Sequence, residues 1–482
     1  MWSLKHWRTR TPINSLPNEI IAEIFVLGST SHRETDAHER WASGMLFACC
    51  VASVNRHWRE VALSIPIIWS TIIISDRKSL AFPALLIARS RNLPLDVVMY
   101  LGSDEENDMM VDTLLLLHDY ISKVRSLILR VNFMTLSCAF FDGLFNIVAP
   151  ALEHLDIEMM DENLNSWEEH VTQSALREFC AKGAHRLSSL HLRGDLLHTS
   201  PQWFTVTRLD LTLEPCLRPR AWNDFGDLLA SCSTLKTLVL HGGSLPIPHA
   251  DTPEVSILHS SLRSLAVDYC LKIMHRPTDI AHFLSHLKAP SLQYLELHCV
   301  TDIGINLLAS EGHRDELALY PSLETLRIIE FVPQDGASSQ SIHAVFPSIR
   351  ELQTDQISAD YILTSTTLSA DHSTSTSLST WPHLETLTCE GGNFTWLYDI
   401  IQSRQRDRCP LLRVRILDTR YSPNQLALLK NHVIVERLVD RDNGYIPISR
   451  LADIEDLPDL PDVWAELEGM LAVLHHSSPL LT

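Results

Sequence analysis

Chemistry on a protein needs particular residue types at set spacings, and the 24 His, 10 Cys and 59 Asp or Glu of this 482-residue chain supply the types in abundance. The spacings are missing. A serine hydrolase would show a G-x-S-x-G elbow, a zinc hydrolase H-E-x-x-H and a nucleotide site a Gly-rich phosphate loop, and no such motif is found among only 16 Gly. His241-Gly242-Gly243-Ser244 faintly resembles an oxyanion loop, but it directly follows the segment LKTLVL with no nucleophile elbow to serve, so it reads as a turn. Glu168-Glu169-His170 and His475-His476 have no partners at metal-ligand spacing. The ten cysteines, Cys49, Cys50, Cys138, Cys180, Cys216, Cys232, Cys270, Cys299, Cys389 and Cys409, form no C-x-x-C pair and sit largely beside apolar residues, as reduced, buried thiols do. The sequence therefore predicts a non-catalytic chain with no catalytic residue, no metal and no cofactor.

Without a catalytic constellation, the question becomes what the elements hold up for binding. The chain is 45% hydrophobic and 20% charged, an ordinary globular composition, and at about 150 residues per domain its length suggests roughly three domains. Its 39 Lys and Arg against 59 Asp and Glu give a net charge of -20, which argues against nucleic acid or an anionic membrane as partner. The acid is concentrated at the end, with nine Asp or Glu and two Arg from Asp440 onward, while the first ten residues hold Lys5, Arg8 and Arg10 and no acid. No run approaches the ~18 apolar residues of a membrane helix, and residues 1–12 lack the apolar centre of a signal peptide. An intracellular, soluble chain, cytoplasmic or nuclear, is expected, so the triplet Asn393-Phe394-Thr395 carries no weight as a glycosylation site.

A strand motif, L-x-x-L-x-L, recurs. Clear copies begin at Leu152, Leu187, Leu235, Leu262, Leu292, Leu323 and Leu384, and weaker ones at Val124, Val206, Ile349 and Leu411. The eleven starts lie 19 to 35 residues apart, near the roughly 20 to 29 of leucine-rich repeats. Pro150, Pro290, Pro321, Pro347, Pro382 and Pro410 closely precede several copies, where proline stops a helix before the strand. Segments such as Asp224–Cys232, Ile280–Leu287 and Pro423–Leu429 have helical spacing. A strand and a helix per unit cannot bury their apolar faces alone, so the units must stack, and the predicted fold class is an α/β repeat solenoid, a horseshoe of parallel strands and helices. Leu292–Ala309 resembles the cysteine-containing subclass, with Cys299, Thr301-Asp302, Gly304, Ile305 and Leu308 in order. Between Ile349 and Leu384, residues 364–380 hold twelve Ser or Thr and read as an inserted loop.

With the leucines facing the core, the residues flanking them face the concave side of the solenoid. These include Asp156 and Glu158, His191 and Arg193, Arg208 and Asp210, then Tyr294, Glu296 and His298. Thr325 and Arg327, Gln353 and Asp355, and Arg413 and Arg415 continue the series. The predicted target-binding residues are Asp156, Glu158, Arg208, Tyr294, Glu296, His298, Arg327, Arg413 and Arg415, with Tyr294 and the arginines as anchors.

The amino-terminal part is different. Leu16, Ile20 and Ile24 recur every four residues with Ile21 and Phe25 beside them, and Pro17 stands where a helix starts. After a polar stretch at 28–43, Val51, Val54, Trp58 and Val61 step by helical intervals within Met45–Ala62, read as one helical run ended by Pro66. A segment of this length, Ile13–Ile65, is below the roughly 60 residues at which a lone domain becomes comfortable, and so many apolar residues in it suggest a partner.

These residues resemble the F-box proteins. Leu16-Pro17-x-Glu19-Ile20-x-x-x-Ile24-Phe25 is similar to the family's opening L-P-x-E-I/L-x-x-x-I-F, and Val54-Asn55-Arg56-His57-Trp58-Arg59 to its closing V-C-R-x-W-R, with Asn55 in place of Cys. Pro66-Ile67-Ile68-Trp69-Ser70-Thr71-Ile72 and Leu93-Pro94-Leu95-Asp96-Val97 extend the likeness toward the large F-box families of mushroom-forming fungi. The resemblance implies a three-helix module that docks a Skp-type adaptor and through it a cullin-RING ubiquitin ligase. It implies adaptor contacts from Leu16, Pro17, Glu19, Ile20, Ile24, Phe25, Val54 and Trp58, with Ile20, Ile24 and Phe25 shared with the module's packing and Val54 and Trp58 buried nearby.

The expected layout is a basic extension at 1–12, an F-box-like helical module at 13–65, a linking segment with first irregular repeats at 66–120 and a leucine-rich-repeat solenoid at 121–440. An acidic tail at 441–482 follows, whose Trp464, Leu467, Leu471 and Leu474 suit a capping helix. The expected function is substrate recognition for a Skp-cullin-F-box type ubiquitin ligase, an unknown target protein lying on the concave face. The alternatives are a non-catalytic repeat scaffold without ubiquitin transfer and an enzyme hidden in the solenoid loops.

Overall fold

The computed structural model describes residues 13, 16–31, 47–75, 80–101, 107–131, 148–159, 184–193, 205–213, 222–242, 245–247, 256–269, 278–312, 319–331, 340–364, 381–390, 393–416 and 421–437. The basic extension, most of the polar insert, the Ser/Thr-rich loop after Thr364, Cys138, Cys180, Cys216, Cys270 and the acidic tail lie outside them. The described residues fall into two compact units, one up to Leu187 and one from Ser188. They form an α/β fold with fourteen parallel strands, four in the first unit and ten in the second.

The first unit opens with three helices: α1 (Asn18–Ser31), α2 (47–54) and α3 (Arg56–Ser64). Pro17 donates nothing at the start of α1, and its carbonyl accepts from the Ile20 and Ile21 amides at 3.0 and 3.1 Å. The helical run expected through Ala62 is broken at Asn55. That residue is extended, and its side chain accepts from the Trp58 amide at 2.9 Å, an N-cap that opens α3 in a new direction. Ile21, Phe25, Val51, Ala52, Val61 and Ala62 form the inside of the module. The Phe25 ring lies 5.1 Å from Trp58 and 6.5 Å from Phe47. A Cβ at Gly28 would run into the Phe47 ring, so glycine is what lets α1 approach that closely. A short 3-10 turn, Pro66–Trp69, closes the module, with the buried Trp69 indole donating to the Ala62 carbonyl at 2.9 Å.

Parallel strands follow directly: β1 (Thr71–Ser75), β2 (Leu95–Leu101), β3 (Val124–Val131) and β4 (His154–Met159), paired in that order. The helix α4 (Ala81–Ser90) connects β1 to β2, and α5 (Asn107–Tyr120) connects β2 to β3. The segment expected as a link with irregular repeats thus already holds two strands in register with the first motif copy.

The second unit contains β5 (Ser189–Arg193), β6 (Arg208–Leu213), β7 (Thr237–Gly242), β9 (Ser264–Tyr269) and β11 (Tyr294–His298). They continue into β12 (Thr325–Ile329), β13 (Glu351–Asp355), β14 (Thr386–Glu390), β15 (Arg413–Ile416) and β16 (Ile434–Arg437). Two short strands, β8 (Ile257–Leu258) and β10 (Leu287–Lys288), pair separately. Every one of the eleven motif copies carries a parallel strand, and the fourth motif position is in register throughout this unit. Leu190, Leu209, Leu238, Leu265, Leu295, Leu326, Leu352 and Leu387 stand side by side, all buried, and Val414 and Val435 extend the row.

The first leucine of the motif closes a turn. Its amide donates to the carbonyl three residues back, as in Leu235 to Cys232 at 2.9 Å and Leu384 to Trp381 at 3.0 Å. Pro150, Pro290, Pro321, Pro347 and Pro382 each occupy the position after a buried turn residue, where a fixed φ near -65° suits the second position of a β-turn. Their job is to shape this turn more than to stop a helix. The turn residue grows toward the carboxyl end, from Ala184 and Cys232 to Tyr320, Phe346 and Trp381. The large ones satisfy their polar atoms on the preceding copy: the Tyr320 hydroxyl donates to the Leu284 carbonyl at 3.0 Å and the Trp381 indole to the Phe346 carbonyl at 2.6 Å. Helices such as Trp222–Ser231, Asp279–His286, Phe394–Arg406 and Pro423–Lys430 complete the units. Trp222, Phe225 and Phe283 pack ring against ring between the first two of these.

Candidate functional site

Two surfaces stand out, one in each unit. In the first, α1 carries two apolar stripes. At 100° per residue, Ile21, Phe25 and Gly28 point to one side and Ile20, Ile24 and Leu27 to another about 100° away. The first stripe is the module's inside: Phe25 is 1% exposed. The second stands in solvent, with Ile20 at 48%, Ile24 at 40% and Leu27 at 59% exposed. Pro17 and Glu19 are exposed, Leu16 is half-buried, and the Trp58 ring is half-buried against Phe25. Val54 departs from the burial that the resemblance implied. It ends α2 just before the extended Asn55 and is 57% exposed. Leu27 was not among the expected contacts, though its spacing of three and seven from Ile24 and Ile20 puts it on their stripe.

In the second unit the polar residues expected on the concave side do face away from the leucine row, but six of the thirteen, Asp210, Tyr294, Glu296, His298, Arg327 and Gln353, are buried. Tyr294, Glu296, His298 and Arg327 are all buried, and they are turned toward one another. The Glu296 carboxylate accepts from the Tyr294 hydroxyl at 2.9 Å, meets His298 Nε2 at 2.7 Å and lies 3.2 Å from Arg327 Nε. Burial pushes this carboxyl up, and the His298 hydrogen bond and the Arg327 charge outweigh that and hold it below its ordinary value. Arg327 continues to the Gln353 amide oxygen at 3.4 Å, and Gln353 donates to Glu351 at 2.9 Å. Arg415 then bridges Glu351 at 2.5 Å and Glu436 at 3.0 Å, and Arg413 meets Glu436 at 2.8 Å. A chain of polar contacts therefore crosses from β11 to β16.

A second cluster spans β5 to β9. The fully buried Asp210 lies 3.1 Å from His241 Nε2, 3.7 Å from His191 and 3.6 Å from the exposed Arg208. Burial disfavours the charged His241 ring, but the Asp210 and Asp268 carboxylates on either side prevail and raise its pKa to about 9. In the first unit the same arrangement recurs: Arg130 grips Asp156 at 2.7 and 3.0 Å and Glu158 at 2.5 Å. Among the described residues no three His, Cys, Asp or Glu side chains gather as a metal site. No helix among them is long and apolar enough to cross a membrane.

Sequence reasoning missed Glu351 and Glu436 as members of the polar chain. A signal was present: Glu296, Arg327, Gln353 and Arg415 occupy the same motif position in copies of one array, so opposite charges meet across neighbouring strands.

No protein-family model matches the chain, and no curated protein matches it. A crystal structure of a Bacteroides fragilis protein, a structural-genomics target, is similar over 74% of this chain and 78% of its own, at 11% identity and a TM-score of 0.29. What the chain does has to be read from its own residues.

Proposed function

We propose that this chain is a non-catalytic substrate receptor of a Skp-cullin-F-box type ubiquitin ligase. The module at 13–65 docks a Skp-type adaptor, and the second unit, read as a leucine-rich-repeat array, holds a target protein on its polar sheet face. The ligase then acts by proximity, since holding a target lysine near the ubiquitin-loaded enzyme replaces a bimolecular encounter. The observation that carries the reading is the solvent-exposed stripe Ile20, Ile24 and Leu27, with Val54, on a helical module whose inside is already filled by Ile21, Phe25 and Val61. Burying a Leu-sized side chain contributes about 1.5–3 kcal/mol, so three or four such residues supply an interface in the micromolar range, about -8 kcal/mol. The F-box-like residues Leu16-Pro17, Glu19 and Trp58 surround that stripe in sequence and support the choice of adaptor.

Co-expression with a Skp-type adaptor tests this. The full chain should co-purify with the adaptor, a chain lacking residues 1–65 should not, and an adaptor-free preparation of the full chain would leave the repeat array as a scaffold without ubiquitin transfer.

A further inference from the structure

Two positions in the second unit change character at its last strands. The residue after the first motif leucine is Lys236, Arg263, Gln293, Glu324, Arg350 and Glu385 in six successive copies, and then Leu412. The first outward strand residue is Tyr294, Thr325, Glu351, Thr386 and Arg413 in successive register, and then Ile434. Both newcomers are in solvent, Leu412 at 56% and Ile434 at 59% exposed. Neither is needed for stacking, because the buried residues of these strands are Leu411, Val414, Ile416 and Val433.

Leu412 and Ile434 border an open groove of about 810 Å³ formed where the chain enters β14, β15 and β16. Its walls hold Arg413, Lys430 and Glu385; Arg413 is paired with Glu436 at 2.8 Å and the His432 ring beside them accepts from Gln402 at 3.2 Å, so Lys430 is the cation this groove presents among the described residues. Glu385 in turn lies 3.6 Å from Arg350, outside the groove, so its charge is partly answered already. An exposed apolar pair with Lys430 at its border, placed where every earlier copy is polar, is complementary to one kind of ligand.

We infer that this groove is the docking site for an acidic partner segment, in which two large apolar side chains seat on Leu412 and Ile434 while a flanking Asp or Glu meets Lys430. The inference rests on the reading of the second unit as the partner-binding part and does not involve the amino-terminal module.

The test uses the full chain and a fluorescein-labelled peptide with a Leu-Trp pair between two runs of three Glu. Fluorescence anisotropy should give micromolar binding. The double variant L412E/I434T, which restores residue types that earlier copies carry at these positions, should weaken it tenfold or more, and K430E severalfold, with unchanged urea midpoints. Carbodiimide treatment should join Lys430 to a Glu of the probe. Absence of binding, binding indifferent to L412E/I434T, or cross-linking of Lys430 to a carboxylate of residues 451–462 of the same chain in place of the probe would overturn the inference. Adaptor co-purification should be the same for L412E/I434T as for the unaltered chain, so a failure here is distinct from a failure of the ligase reading.

Discussion

Along α1, Ile20, Ile24 and Leu27 stand in solvent, whereas along β5 to β15 the leucines of the strand motif are buried and the charged residues Asp210, Glu296 and Arg327 opposite them are buried too. The helical module leaves an apolar stripe exposed, whereas the polar clusters around Glu296 and Asp210 answer their buried charges within the strand array. Glu296 is 2% exposed yet receives Tyr294, His298 and Arg327 at once, so its charge is spent on its neighbours. The contrast separates residues that hold the fold from residues held ready for something else. A buried ion pair is weak evidence of net stability but strong evidence that its partners depend on each other. The isoleucines of the α1 stripe, by contrast, stay in solvent among the described residues.

The contrast is broken most severely at the centre of the polar chain. Glu296→Ala leaves Arg327 and His298 buried without their carboxylate and is expected to cost about 3–5 kcal/mol in urea unfolding. Glu296→Gln keeps the shape and should cost less. On the apolar side, Leu295→Ala in the fully buried row should cost about 2–5 kcal/mol, while Ile24→Ala on the exposed stripe should stay within about 0.5 kcal/mol. Equal losses from these two would erase the distinction between the surfaces.

A pH series sharpens the account of the buried charges. The His241 pKa is about 9, above the ordinary histidine value, so its contribution is complete below about pH 6.5 and disappears as pH rises through 9. His343, half-buried with its ring 4.2 Å from Trp381, is the reverse. Burial lowers its pKa to about 4, so its contribution is complete above about pH 6.5 and is lost as pH falls through 4. His241→Gln should flatten the alkaline slope of stability and His343→Phe the acid slope. A smaller effect is expected at the module's hinge. Asn55→Ala removes the cap of α3 and should cost about 1 kcal/mol, which Asn55→Ser should largely restore.

Much of the strand array was legible because its signal is periodic and repeated: each L-x-x-L-x-L copy places two leucines on one side of a strand, and eleven copies reinforce one another. The strands β1, β2 and β16 escaped because they lack the motif. Ile72-Ile73-Ile74 and Val97-Val98-Met99 are continuous apolar runs, which alternate with nothing, and the β16 segment carries His432 and Arg437 where the motif has leucines. At the module, one capping side chain, Asn55, overrode the helical spacing from Val51 to Val61 and turned Val54 outward. On the polar face, alternation gave the side of the sheet correctly. It could not give burial, because that depends on which charge stands on the next strand: Arg327 beside Glu296 closes a site that either residue alone would leave open.

The central claim is that the exposed stripe of α1 binds a Skp-type adaptor. Isothermal titration of purified adaptor into the full chain, and into the triple variant Ile20→Ser/Ile24→Ser/Leu27→Ser, addresses it without disturbing the module's inside. A micromolar or tighter complex that the triple variant weakens about a hundredfold, with an unchanged urea midpoint, is the predicted result. An unaltered chain that takes up no adaptor, or a triple variant that binds as well as the unaltered chain, would contradict it.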